Sequence, residues 1–185
     1  MKLSDNEKRQ LVLVAREAIL HGLSCHHRRQ VNAADYALAF QTKAASFVTL
    51  TIMGNLRGCV GSTETYRSLI EDVAHNAYSA AFEDSRFQPL SPDEYPALEV
   101  RTSVLSPKEA ILFSSGEDLL RQIRPSIDGL LIEKNERHAT FLPSVWASFP
   151  DPPEFLDQLK RKAQIDDGDP GVLKVWRYTT VSFSD

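Results

Sequence analysis

Apolar residues recur at helical spacing behind two sequence signals of helix onset. Ser4-Asp5-Asn6-Glu7 is a capping box, and Leu11, Val14, Ala15 and Ala18 follow it along one face. The pattern predicts a first helix to about His21, with Gly22 as its stop. Ser68-Leu69-Ile70-Glu71 is a second capping box; Ile70, Val73, Ala74, Ala77 and Ala81 then form a small-residue stripe suited to lying on a sheet, ending near Phe82. Between them, Asn32-Ala33-Ala34-Asp35 can cap a short helix through Phe40. Ser91-Pro92-Asp93-Glu94 starts a single helical turn, Ser115-Gly116-Glu117-Asp118 opens a short helix ended by Pro125, and Glu154 to Ala163 reads as a last helix.

Other stretches alternate at the period of a strand. Ser46 to Ile52, Leu98 to Leu105, Leu130 to Glu133, His138 to Leu142 and a single final strand from Val172 to Phe183 are predicted, with Asp166 to Gly171 a loop before the last. Pro143 to Pro153 holds four of the ten prolines and predicts a rigid, exposed crossing. Trp146 and Trp176 are packing anchors. Helices and strands interleave irregularly with hairpins, so the expected class is α+β with a mixed sheet.

The densest candidate chemistry is Leu56-Arg57-Gly58-Cys59-Val60-Gly61. It follows the strand Ser46 to Ile52 across Met53-Gly54-Asn55. A type II′ turn centred on Gly54-Asn55 would pair Ile52 with Arg57 and Leu50 with Cys59. Arg57 and Cys59 would then share a face, and Gly58 and Gly61 would leave room for close approach. Half-ionising a thiol of pKa about 8.5 at pH 7 takes roughly 2 kcal/mol, which a nearby guanidinium can supply. Aliphatic neighbours such as Val48, Leu50 and Ile52 act in the opposite sense. The competing reading is a small packed hydrophobe. Arg57 either grips an anionic group or pairs with a carboxylate such as Glu64.

The 185 residues fit one domain, or one domain with two lobes, and bury roughly 70% of the unfolded surface without needing a staple. Hydrophobic residues make up 42% and charged residues 25%, as in ordinary globular proteins. A net charge of −4 argues against broad nucleic-acid or membrane-surface binding. No apolar run approaches the ~20 residues of a membrane span, and no signal peptide is recognisable. Two cysteines build no disulfide framework, so a reduced, cytoplasmic protein is expected.

His21, Cys25, His26 and His27 are the one cluster of metal-type ligands. A helix running through would place His21 and Cys25 on one face, but the spacing matches no standard zinc signature and a second pair is missing. A polar loop, with no metal and no cofactor, is the expectation. His75 lies off the apolar stripe of its helix and is a candidate base for Cys59 or a solvated side chain. Neither a phosphate-cradling glycine loop nor a serine nucleophile elbow occurs.

Several phrases, in order, resemble one family. They are Phe47-Val48-Thr49-Leu50, the hexapeptide from Leu56 to Gly61, Ala81-Phe82 with Asp84-Ser85-Arg86-Phe87, Ser103 to Pro107, Asp128-Gly129-Leu130, and Thr140-Phe141-Leu142-Pro143. The chain is similar over nearly its whole length to the AMMECR-type domain, also called protein A of the AmmeMemoRadiSam set. The resemblance implies a two-lobed α+β domain spanning residues 1–185, with a smaller lobe packed on a larger one and the hexapeptide near the cleft between them. It also implies Memo-like and radical-SAM proteins as partners, and no settled activity. Val60, Ser85, Ala139 and Ser144 depart from the family pattern; a glycine lost at Ala139 would change how closely a strand or ligand approaches.

The functional expectation is therefore a ligand-binding or catalytic cleft with Cys59 and Arg57 as catalytic residues, Gly58, Gly61, Asp84, Arg86 and Thr140 lining it, and an unidentified small ligand. The alternative is a non-catalytic module that docks a Memo-like or radical-SAM partner. For Asp84 and Arg86 a loop staple is the competing role; for Thr140 it is fixing a strand end.

Overall fold

In the computed structural model, which describes residues 3–166, 168 and 171–185, the chain divides into two compact units. One is formed by the chain as far as Leu105 together with Val181–Asp185, the other by Ser106–Thr180. Asp167, Asp169 and Pro170, in the predicted loop before the last strand, lie outside the described residues.

The first unit holds α1 (Asp5–Cys25), a 3₁₀ turn at Ala33–Asp35, α2 (Leu38–Gln41), β1 (Ser46–Ile52), β2 (Asn55–Gly61), α3 (Leu69–Phe82), a 3₁₀ turn at Pro92–Ala97 and β3 (Leu98–Leu105). Ser4 caps α1 as its sequence predicts: the Glu7 N–H donates to Ser4 Oγ and the Ser4 N–H donates back to Glu7. The helix nevertheless runs a turn past Gly22. That glycine is a packing site, because a Cβ there would stand 2.4 Å from Phe82 Cε2 on α3. The true stop is His26, in the left-handed conformation at φ 60°, whose N–H donates to the Gly22 carbonyl.

The second unit holds β4 (Glu109–Ile111), α4 (Gly116–Gln122), β5 (Gly129–Lys134), β6 (Arg137–Phe141), a 3₁₀ turn at Pro143–Ala147, α5 (Pro152–Ala163) and β7 (Lys174–Tyr178). β8 (Thr180–Ser184) then returns the chain to the first unit. The single final strand read from sequence is thus two strands serving two sheets, ordered β2-β1-β3-β8 and β4-β7-β5-β6. Every strand register described is antiparallel, so the α+β class holds while the expected mixed sheet is corrected. The strands are joined largely by hairpins and returns, which need no parallel crossover.

Each unit has its own core. In the first, α1 and α3 pack on each other and on one face of the sheet, where Leu11, Ile19, Val48, Leu50, Ile70, Val73, Ala77 and Val100 are fully buried. In the second, Trp146 stacks on Phe155 at 3.8 Å and donates its indole N–H to the Asp128 carbonyl at 2.7 Å. The proline-rich stretch is therefore partly a core element where an exposed crossing was expected. Trp146 is the reason, since an indole of that size cannot be left in water without losing its apolar contacts.

Candidate functional site

The β1–β2 hairpin turns on Met53-Gly54, both at positive φ (50° and 77°), one residue earlier than expected. Two successive left-handed residues match the strand twist. Ile52 therefore faces Asn55, and Thr51 faces Leu56. Leu50 then faces Gly58, which leaves Arg57 as the extra residue of a bulge, and Thr49 faces Cys59. The bulge reverses the expected environment of the sulfur, since the moved turn alone displaces the pairing by two and would leave Cys59 opposite Val48. Cys59 lies on the sheet face away from α1 and α3, beside Thr49, while Val48 and Leu50 point into the core. It is half-buried, and its Sγ stands 3.3 Å from Thr49 Oγ1.

Gly58 faces the helices instead. A Cβ at that position would sit 2.1 Å from the Ala80 carbonyl oxygen, so the glycine lets α3 lie directly on the strand. A Cβ at Gly61 would meet the Ser46 carbonyl at 2.3 Å and the Phe47 ring at 2.4 Å. Both glycines admit the protein's own atoms.

β2 is an edge strand, and the loop after α3 covers it. The Cys59 N–H donates to Asp84 Oδ2 at 2.9 Å, and Arg86 Nη2 donates to the Cys59 carbonyl at 3.2 Å. Asp84 and Arg86 are themselves paired, Nε to Oδ1 at 2.9 Å and Nη2 to Oδ2 at 2.7 Å. The two side chains thus occupy the backbone donor and acceptor of Cys59 as a neighbouring strand would. Arg86 holds the Asp84 carboxyl down at about 2, with help from the Cys59 N–H and against the effect of burial.

Arg57 forks onto Glu94, Nε to Oε1 at 2.6 Å and Nη2 to Oε2 at 3.1 Å, and donates to the Gln88 carbonyl at 2.9 Å. Its partner is Glu94, not Glu64, and its guanidinium lies over the Phe87 ring at 5.9 Å. Glu94 also accepts from the Ser91 N–H at the start of the 3₁₀ turn, and Arg57 draws its carboxyl down to about 2. Arg57 Nη1 is buried without a hydrogen-bond partner. The guanidinium expected beside the thiol is committed to holding a loop.

Thr49 and Thr51 line a hollow of about 240 Å³ with Gly54, Glu99, Val100, Arg101, Ser184 and Asp185. Arg101 and Glu99 are exposed; Glu99 accepts from Thr51 Oγ1 at 3.1 Å. Sequence reasoning missed this hollow because its residues come from three strands and singly carry no motif.

The remaining candidates make contacts of their own. His75 on α3 meets Arg28 Nη1 through Nδ1 at 3.1 Å and lines a different hollow of about 290 Å³ with Arg28, Arg29, Arg67 and Glu71. Burial, then Arg28 and Arg67, push its pKa down, which favours the neutral ring. Thr140 belongs to the second unit, where its hydroxyl donates to the Leu130 carbonyl at 2.7 Å and lies 2.6 Å from the Tyr178 hydroxyl. Both partners belong to that unit's own sheet. Ala139 is buried in the same unit's core. His21, Cys25 and His27 bring one ligand atom each to within 4.8 Å of one another at the end of α1. Among the described residues no helix is long and apolar enough to cross a membrane.

The fold has known counterparts. The chain matches "Crystal Structure of Uncharacterized Protein PH0010 From Pyrococcus horikoshii" with a TM-score of 0.91 at 31% identity, over 100% of this chain and 94% of that one. A protein of Methanothermobacter thermautotrophicus is 38% identical over 164 residues, covering 88% of this chain and 85% of the relative. One from Thermofilum pendens is 32% identical over 199 residues, covering 98% and 91%. The AMMECR1 family model matches residues 12–183, and the chain belongs to the AMMECR1 family.

Proposed function

We propose that the protein binds a small polar ligand on the helix-free face of the first sheet, with the Cys59 thiol as a contact group. One observation carries this reading. Arg57, Gly58 and Gly61 of the hexapeptide are spent on the protein itself, whereas the half-buried Cys59 sulfur lies on the face away from α1 and α3 beside Thr49, which lines the 240 Å³ hollow. Arg101 takes the role first assigned to Arg57, meeting an anionic end of the ligand, and Glu99 and the threonine hydroxyls accept or donate around it. Asp84 and Arg86 are positioning residues that hold the Cys59 backbone.

The test is site-resolved iodoacetamide labelling of Cys59 in the native chain, followed by thermal-shift screening of small carboxylates and phosphates. Cys59 labelling in the native protein at a rate comparable to the unfolded chain, slowed by a ligand whose shift disappears in Arg101→Ala, supports the reading. A native Cys59 that resists labelling, or a ligand shift unchanged in both Cys59→Ser and Arg101→Ala, overturns it.

A second reading is docking of a Memo-like or radical-SAM protein through the hairpin tip. It is favoured by Met53 and Leu56, which are 86% and 45% exposed there. Capture of either partner that survives a Met53→Asp, Leu56→Asp double substitution would remove it.

A further inference from the structure

The end of α1 gathers three metal-ligating side chains by a route that sequence spacing conceals. His21 and Cys25 stand four residues apart and share a face of the last turn. His26 then adopts φ 60°, a left-handed stop that turns the chain back, and the following residue, His27, returns over His21. The two rings meet at a centroid distance of 4.7 Å, with His21 Nε2 3.3 Å from His27 Nδ1.

That separation fits a shared cation. Two imidazole nitrogens bound to zinc at about 2.0–2.1 Å and a tetrahedral angle lie roughly 3.3–3.4 Å apart. A ligand atom of each residue, the Cys25 sulfur included, already lies within 4.8 Å of the other two; closing to about 3.6 Å is within reach of side-chain rotation. A second observation is electrostatic. The last turn of α1 carries no basic residue, so the negative end of its dipole favours a cation placed there.

We infer that His21, Cys25 and His27 form a binding site for a thiophilic divalent cation, with Zn²⁺ the best chemical fit. A thiolate with two imidazoles suits zinc over magnesium or calcium, and three protein ligands leave a fourth position for water or an incoming donor. As the zinc–sulfur bond forms, the Cys25 thiol loses its proton to the buffer. His27 Nδ1 lies 3.0 Å from the Arg28 carbonyl; to coordinate through that nitrogen the ring carries its proton on Nε2 and gives up this contact. His26, exposed at the turn, sets the backbone and is not a ligand.

The experiment uses the full chain, stripped with chelator and titrated with Co²⁺ and then Zn²⁺. The expected result is one Co²⁺ per chain with a thiolate-to-cobalt charge-transfer band and tetrahedral d–d bands, both displaced by Zn²⁺. Cys25→Ser abolishes the charge-transfer band, and His21→Ala or His27→Ala weakens Zn²⁺ binding by about 100-fold or more. His26→Ala and Cys59→Ser keep both. Cys25 and His27 are exposed and His21 is half-buried, so circular dichroism of the variants should match the parent. No charge-transfer band in the parent, or one that survives Cys25→Ser, overturns the assignment. So does Zn²⁺ affinity unaltered by both histidine substitutions.

Discussion

Replacing Asp84 with asparagine isolates the clamp on the edge strand. Asparagine keeps the size and an acceptor for the Cys59 N–H, and removes the charge that Arg86 grips. The aspartate side chain is 5% exposed and its carboxyl is held at about 2 in the fold, against an ordinary 3.8. That difference corresponds to about 2.4 kcal/mol of stability at pH 7 as an upper bound. Arg86 is 54% exposed, so solvent screening brings the expected loss in Asp84→Asn to between about 1 and 2 kcal/mol. The sign follows from a depressed folded pKa. The contribution is complete above the unfolded value of 3.8 and disappears as pH falls through about 2. Paired urea titrations of parent and variant at pH 7, 3 and 2 measure it. The gap between them should shrink to roughly half at pH 3 and to a few tenths of a kcal/mol at pH 2. A gap that stays constant from pH 7 to 2 would show that Asp84 stabilises by shape and not by charge, and the account of the clamp would fail.

Three further substitutions probe the close contacts. Gly58→Ala drives a methyl into the Ala80 carbonyl and should cost about 3 kcal/mol or more; a melting temperature within a degree or two of the parent contradicts the packing of α3 on β2. Gly22→Ala meets the flexible edge of Phe82 instead, so about 1–3 kcal/mol is expected, partly recovered by adding Phe82→Leu in a double-mutant cycle. Tyr178→Phe removes a hydroxyl that donates to the Phe141 carbonyl at 3.1 Å and pairs with Thr140, in a place where burial raises its pKa. Chemical denaturation should show a loss of about 1–2 kcal/mol, and none at all would mean that this buried network is immaterial.

Much of the first unit was legible from local pattern. Ser4 with Glu7, and the alanine stripe of α3, announced both major helices because capping and periodicity are properties of neighbours in sequence. The candidate site was legible in place but not in orientation. Gly54-Asn55 looks like the turn, yet Met53 takes the first left-handed position, a conformation that its composition does not advertise. The bulge at Arg57 then moves Cys59 to the opposite face. Gly58 was legible as a place of close approach, but what approaches it was not, because that atom belongs to Ala80 on α3. His27 was hidden for a similar reason: its approach to His21 depends on the handedness of a single residue between them.

Along the chain the second unit is inserted between β3 and β8, two strands that are neighbours in the first sheet. The junctions nearly touch, since the Ser106 N–H donates to the Thr179 carbonyl at 2.8 Å. During synthesis the amino-terminal sheet must wait, one rung short, until some seventy-five intervening residues have emerged from the ribosome. The same adjacency makes the splice reversible in the laboratory: a short loop joining Leu105 to Val181 bridges neighbouring rungs of one ladder, so the guest segment can be excised without stretching its host.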